Sequence, residues 1–210
     1  TRYQVANLVK GCFTRFMSSH VQTAVTSAPI LPVLADRWSP RSYDPSYKLT
    51  QHELLSILEA GRWAPSANNA QPTRYSVIEH GSPLHEQIVG TLAGWNSAWA
   101  GNASAIILVS VEAANADGAV NPFAVYDAGQ AVAHLSIQAH ELGLHVHQMA
   151  GLDIAKAAEV LDVPGDIQLI VSAVVGKIAP ADALPEPLHE REITPRVRKE
   201  LDEIVVYGRP

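Results

Sequence analysis

The stretch "YDAGQAVAHLSIQAHELGLHVHQMAGLD", residues 126–153, changes its hydrophobic period once, from that of a helix to that of a strand. Val125, Ala128, Val132, Leu135, Ala139 and Leu142 recur three and four apart, which puts them on one face of a helix predicted over 123–142. Gly143 stands where a helix C-cap wants a residue free to turn back on itself. "HVHQM" (145–149) then reads as a short strand, and Asp153 caps a further helix predicted to run to about residue 161. The many alanines of the long helix predict close packing on more than one side.

Upstream, Thr50 and Glu53 form a capping box, and Leu54, Leu55 and Leu58 give the apolar face of a helix running to about Trp63, where Pro65 stops it. "APSANNAQP" (64–72) is rich in turn formers, and "RYSVIE" (74–79) alternates as a strand does. Ser82-Pro83 reads as a helix opening, and 104–111 as a second strand. Trp95 and Trp99, four apart, are expected on one helical face, as core, dimer contact or lid. Pro164-Gly165 turns the chain into a strand at 168–176. Residues 180–195, with four prolines, are expected to be extended, before a charged run "RVRKELDEIVVYG". Strands and long helices without regular βαβ alternation predict an α+β sheet sandwiched by helices. No repeat, P-loop or GxGxxG fingerprint occurs, which argues against a nucleotide held in the Rossmann manner.

Composition narrows the function. The 210 residues are 47% hydrophobic and 17% charged, enough for one large or two small cores. A formal net charge of -6 argues against a nucleic-acid partner, and no apolar run approaches the ~20 residues that span a bilayer. One cysteine, Cys12, excludes an internal disulfide and fits a reducing, cytoplasmic setting. Residues 1–35 lack Asp and Glu and are expected to form an N-terminal arm. Within it, 1–16 read as a targeting peptide or as upstream or appended sequence, with Met17 as the natural start.

Against that acidic background, "RWSPRSYDP" (37–45) gathers Arg37, Ser39 and Arg41 on one loop. Two forked cationic donors and a hydroxyl suit a phosphate monoester; the alternative is a pair of surface ion pairs to Asp36 and Asp44. "APSANNAQP" offers Ser66, Asn68, Asn69 and Gln71, whose side chains donate to and accept from a planar heterocycle, or serve only as turn chemistry.

The order Arg-x-Ser-x-Arg, helix, Ala-Pro-Ser-x-x-Asn-x-Gln-Pro, strand, and later the long helix with its glycine-bearing loop, resembles the nitroreductase family of FMN-dependent oxidoreductases. The resemblance covers about residues 36–178 and implies a mostly antiparallel sheet in a homodimer with FMN at the interface. It implies that Arg37, Ser39 and Arg41 grip the FMN phosphate and ribityl chain, with the Trp38 backbone between them. Asn69 matches a residue bonded to the flavin ring, with Gln71 beside it, and Pro65 and Ser66 match residues reaching the ring from the partner subunit. Met149, Ala150 and Gly151 fall where the backbone meets the ring near its reactive nitrogen. Some relatives carry glutamate at the position of Ala150, so their substrate preference does not transfer. Arg196 and Arg198 are the best match to a late basic pair on the phosphate, or else lie on a solvated helical face; Arg191 and Lys199 are nearby substitutes.

The activity so implied is hydride transfer from NADH or NADPH through FMN to a nitroaromatic, quinone or activated alkene, by a two-step, ping-pong exchange within residues 36–210. Flavin fragmentation, dehalogenation or non-catalytic flavin binding are the alternatives. No side-chain general acid is required. His140, His145 and His147 lack a supporting carboxylate pattern, so they are expected to be packed or interfacial, not metal ligands. Asp127 and Gln130 are expected to be structural hydrogen-bonding groups.

Overall fold

The computed structural model describes residues 22–114 and 118–208, so Cys12, Met17 and the segment 1–16 lie outside the described residues. Pro32–Asp36 forms a short helix, α1, within the arm, and Gln51–Arg62 forms α2. The capping box is formed: the Thr50 hydroxyl accepts from the Glu53 N–H, and the Glu53 carboxylate accepts from the Thr50 N–H at 2.7 Å. There follow β1 (Thr73–Glu79), α3 (His85–Val89), β2 (Ala105–Glu112), α4 (Ala124–Glu141), β3 (His145–Met149), α5 (Ile154–Val160), β4 (Ile167–Gly176), α6 (Leu188–Ile193) and α7 (Leu201–Ile204).

The strands form one antiparallel sheet in the order β1-β2-β4-β3. β2 is central and buried on both faces, which is why its sequence is an unbroken apolar run rather than an alternation. Ala105, Ile107, Val109 and Val111 pack with Ile57 of α2 and Val132 and Leu135 of α4. Ile106 and Leu108 face the other way, onto Ile88, Trp99, Ala157 and Leu188. Two cores on opposite faces are the sandwich expected of an α+β chain.

α4 ends as its glycine predicts. Gly143 has φ +74, its N–H reaches the His140 carbonyl, and the Leu144 N–H reaches that of Ala139, a Schellman closure. Val125 departs from the expected inner face: it is 58% exposed, and Ala124, one residue earlier, is buried instead.

Three further expectations need correction. α3 begins at His85, because Ser82 and Pro83 are used in the turn leaving β1, where the Ser82 N–H reaches the Glu79 carbonyl. Trp95 and Trp99 do not share a face. Their segment is two 3-10 turns, Gly94–Ala98 and Ala100–Asn102, and four residues at three per turn diverge by about 120°. Trp99 is buried against Tyr43 while Trp95 stays half exposed. Residues 180–195 are not extended throughout: a turn at Ala181–Ala183 and α6 bury Leu188 and Glu192, four apart on one face. Among the described residues no helix is long and apolar enough to cross a membrane.

Candidate functional site

β3 is an edge strand, and the loop bearing Arg37, Trp38, Ser39 and Arg41 packs on it. Strand alternation sends His145 and His147 to the same face. The Trp38 ring meets His145 edge-on at 6.2 Å, and His147 Nδ1 donates to the Pro40 carbonyl at 2.8 Å. Burial pushes both imidazoles down to about 4, so they are neutral packing groups at ordinary pH. The histidines are thus packed, as expected, beneath the loop.

The loop is fixed from its other side by a residue that sequence reading missed. Glu192 of α6 is 2% exposed, and its carboxylate accepts from the Arg41 N–H at 3.0 and 2.8 Å and from the Ser42 N–H at 3.1 Å. The Ser42 hydroxyl donates to the Pro180 carbonyl at 2.7 Å. The signal was an acid four residues after Leu188, hidden by the prolines around it.

Arg37, Arg196 and Arg198 gather beside this loop. Burial lowers the Arg37 guanidinium from its ordinary value and Arg198 adds repulsion; Arg196 is lowered by burial, Arg37 and Arg198, with Asp36 opposing. Arg196 is also a staple, donating to the carbonyls of Arg37, Ala35 and Gln22 and so tying the C-terminal segment to the arm. Its Nε is buried without a partner among the described residues. Among the described residues, Arg37, Arg41 and Arg198 form no ion pair. Asp44 instead accepts from Ser46 through both hydroxyl and N–H, which holds its carboxyl below the usual range. Surface ion pairs from Arg37 or Arg41 to Asp36 and Asp44, the alternative reading of this loop, are not formed among the described residues. Arg191 and Lys199 are exposed.

Past β3, the Met149 carbonyl accepts from the Ser172 hydroxyl at 3.0 Å, Ala150 is exposed, and the Gly151 carbonyl accepts from the Ala93 N–H and the Asn96 amide. A Cβ on Gly151 would lie 2.6 Å from Asn96 Nδ2, so with any other residue there the Asn96 amide would have to move. Asn96 was not anticipated; nothing in its turn-rich stretch links it to Gly151.

Pro65, Ser66, Asn69 and Gln71 lie elsewhere. Their loop has three non-glycine residues at positive φ, Asn68, Asn69 and Gln71. Ser66 Oγ accepts from the Gln71 N–H, the Gln71 amide donates to the Asn69 carbonyl, and the buried Asp127 carboxylate accepts from the Ala67 N–H at 3.0 Å. Asp127 is therefore a structural hydrogen-bonding group. The loop feeds β1, the opposite edge of the sheet, about 14 Å from β3 across three strand spacings. α4 gives a second ruler: Asp127 near its start holds this loop, His140 near its end is beside Arg37, and the rise between them is about 20 Å. A cavity of about 510 Å³ opens behind the loop, between α2, β1 and α4, with Tyr75 pushed up to about 12 by burial.

An antiparallel sheet with a helical layer on each face and unneutralised guanidiniums at one edge defines an α+β protein with an anion-attracting edge. The chain belongs to the nitroreductase family, whose sequence profile matches residues 34–177. The Bacillus subtilis (strain 168) protein YdgI, named as an NAD(P)H nitroreductase, is 38% identical over 87 residues, 41% of this chain and 41% of that one. The chain thus aligns with about two fifths of that relative's length. A solved oxidoreductase containing FMN is 34% identical, covers 88% of this chain and 94% of that one, and superposes with a TM-score of 0.83. A Desulfovibrio desulfuricans protein described as a nitroreductase in complex with FMN is 25% identical over 88% and 99% of the chains, with a TM-score of 0.68.

Proposed function

We propose that this chain is an FMN-dependent oxidoreductase, working as a homodimer, that takes hydride from NADH or NADPH and delivers it to a nitroaromatic, quinone or activated-alkene acceptor. Reductant and acceptor occupy the same pocket in turn, a ping-pong exchange. Bound FMN supplies the hydride chemistry. The observation that carries the reading is the set of guanidiniums, Arg37, Arg41 and Arg198, without ion pairs among the described residues, in a family with FMN-containing relatives.

In this reading Arg37, Arg41, Arg198 and the spare Nε of Arg196 neutralise the phosphate. Ser39 and the Trp38 backbone hold the ribityl chain. Met149, Ala150 and Gly151 present backbone to the ring, with Asn96 fixing Gly151 from behind. Pro65, Ser66, Asn69 and Gln71 come from the second subunit, because within one chain they sit at the far edge of the sheet. An antiparallel pairing of two α4 helices brings one copy's Asp127 end to the other's His140 end. The exposed Tyr126, Gly129 and Ala133 offer a face with small residues for it. Residues 36–210 act as one domain, with the preceding arm stapled to it by Arg196. Proton donation falls to solvent or backbone amides.

Anaerobic mixing of the flavin-loaded dimer with NADH or NADPH tests the proposal. Bleaching of the flavin, reversed by a quinone or nitroaromatic, is expected. Bleaching by a chemical reductant but by neither nicotinamide overturns it.

A further inference from the structure

The last turn of α4 carries an imidazole that the packing around it leaves unused. His140 is half-buried, and its Nδ1 is buried with no hydrogen-bond partner among the described residues. Its ring meets His145 edge-on at 5.0 Å, and His145 Nδ1 is likewise buried and without a partner among those residues. The charges that face His140 are Asp36 and Arg37, where α1 runs into the site loop, Arg196 from the C-terminal segment, and Glu141 of its own helix. Burial lowers its affinity for a proton; Arg37 and Arg196 add to that, while Asp36 and Glu141 oppose them.

A fourth cation beside Arg37, Arg196 and Arg198 is unfavourable in the free protein. A phosphate monoester, with about -1.5 to -2 charges at neutral pH, reverses the sign of the local field. The C-terminal end of a helix favours a cation as well. Building on the FMN reading above, we propose that His140 is the proton-carrying member of the anion site: neutral in the free protein, it takes up a proton from solvent when the FMN phosphate seats on Arg37, Arg196 and Arg198. FMN binding is thereby coupled to pH through a side chain with no part in hydride transfer. His145, deeper and facing the charges of His140 and Arg37, stays neutral and keeps the His140 ring in place.

The test is calorimetric titration of the wild-type apoprotein and of His140→Gln with FMN, in two buffers of different ionisation enthalpy, with riboflavin as the phosphate-free ligand. Wild type is expected to take up more protons with FMN than the variant does, and neither is expected to differ with riboflavin. Any titration of the phosphate itself is common to both proteins and cancels in the comparison. Between pH 8 and 6 the ratio of variant to wild-type dissociation constants is expected to grow several-fold, toward the limit of about tenfold that a rise of one pKa unit sets. Equal proton uptake in the two proteins, or equal uptake with riboflavin and FMN, overturns the proposal. Should the variant not fold, histidine-ring NMR on the wild type decides: the His140 midpoint rises by about one unit or more on FMN binding, and an unmoved midpoint refutes it. FMN that does not bind at all brings down the FMN reading itself; FMN that binds without moving His140 removes only this inference.

Discussion

Glu192→Ala offers the most quantitative perturbation of the site, because one buried carboxylate holds two main-chain donors of the loop that carries Arg37 and Arg41. Hydrogen bonds to a charged group contribute about 1.5–3 kcal/mol each, and the truncation leaves the Arg41 and Ser42 N–H groups without that acceptor. A loss of about 3–5 kcal/mol follows. Glu192→Gln keeps one acceptor oxygen but turns an amide toward a donor, so about 2 kcal/mol is expected. Urea unfolding of wild type and both variants, at one fixed protein concentration and followed by tryptophan fluorescence, measures the difference. Because the loop loses its outer anchor, FMN affinity in the surviving Gln variant falls at least about tenfold, equivalent to one such bond. A stability loss under about 1 kcal/mol in the Ala variant, the net worth of one ordinary hydrogen bond, refutes the idea that this carboxylate fixes the loop.

The same geometry makes further predictions. Arg37→Ala removes a charge that has no ion pair among the described residues, so it weakens FMN binding by about 10–100-fold while stability stays within about 0.5 kcal/mol; fluorescence titration and urea unfolding read the two separately. Gly61→Ala drives a Cβ into the Tyr75 hydroxyl and costs about 1–3 kcal/mol, and Tyr75→Phe in the same chain recovers much of the loss in a double-mutant cycle. His145 and His147 titrate at about 4 when folded and at about 6.5 when unfolded. The unfolded chain therefore binds more protons between those values, and stability present above pH ~6.5 is lost as pH falls toward 4. His147→Gln flattens that slope; unchanged slopes in parallel denaturation series contradict the assignment.

Much of this fold is local, and local patterns are what a sequence displays. The Thr50–Glu53 box, the Gly143 closure of α4 and the Asp153 cap, which accepts from the Lys156 N–H, each bind residues within a few positions of one another. They were legible for that reason. α6 was not, because four prolines mask a six-residue helix whose purpose lies 150 residues away at Arg41 and Ser42. Trp95 and Trp99 were misplaced because spacing of four means one face only if the helix is α, and the sequence did not show the 3-10 winding. In the site, charge and order pointed to Arg37, Arg41 and Gly151. Asn96 was invisible, being brought to Gly151 by tertiary packing alone. Arg196 was found as a cation but not as a staple, since its carbonyl partners on the arm carry no side-chain signature.

In the proposed function the guanidiniums at the β3 edge hold the phosphate of FMN. Equilibrium titration of the apoprotein with FMN and with riboflavin, for wild type and Arg37→Ala, tests it most directly. Wild type is expected to bind FMN at least about 100-fold tighter than riboflavin, equivalent to roughly two charge-assisted hydrogen bonds, and Arg37→Ala is expected to close most of that gap. Equal affinities of wild type for the two flavins, or a gap untouched by Arg37→Ala, would contradict it.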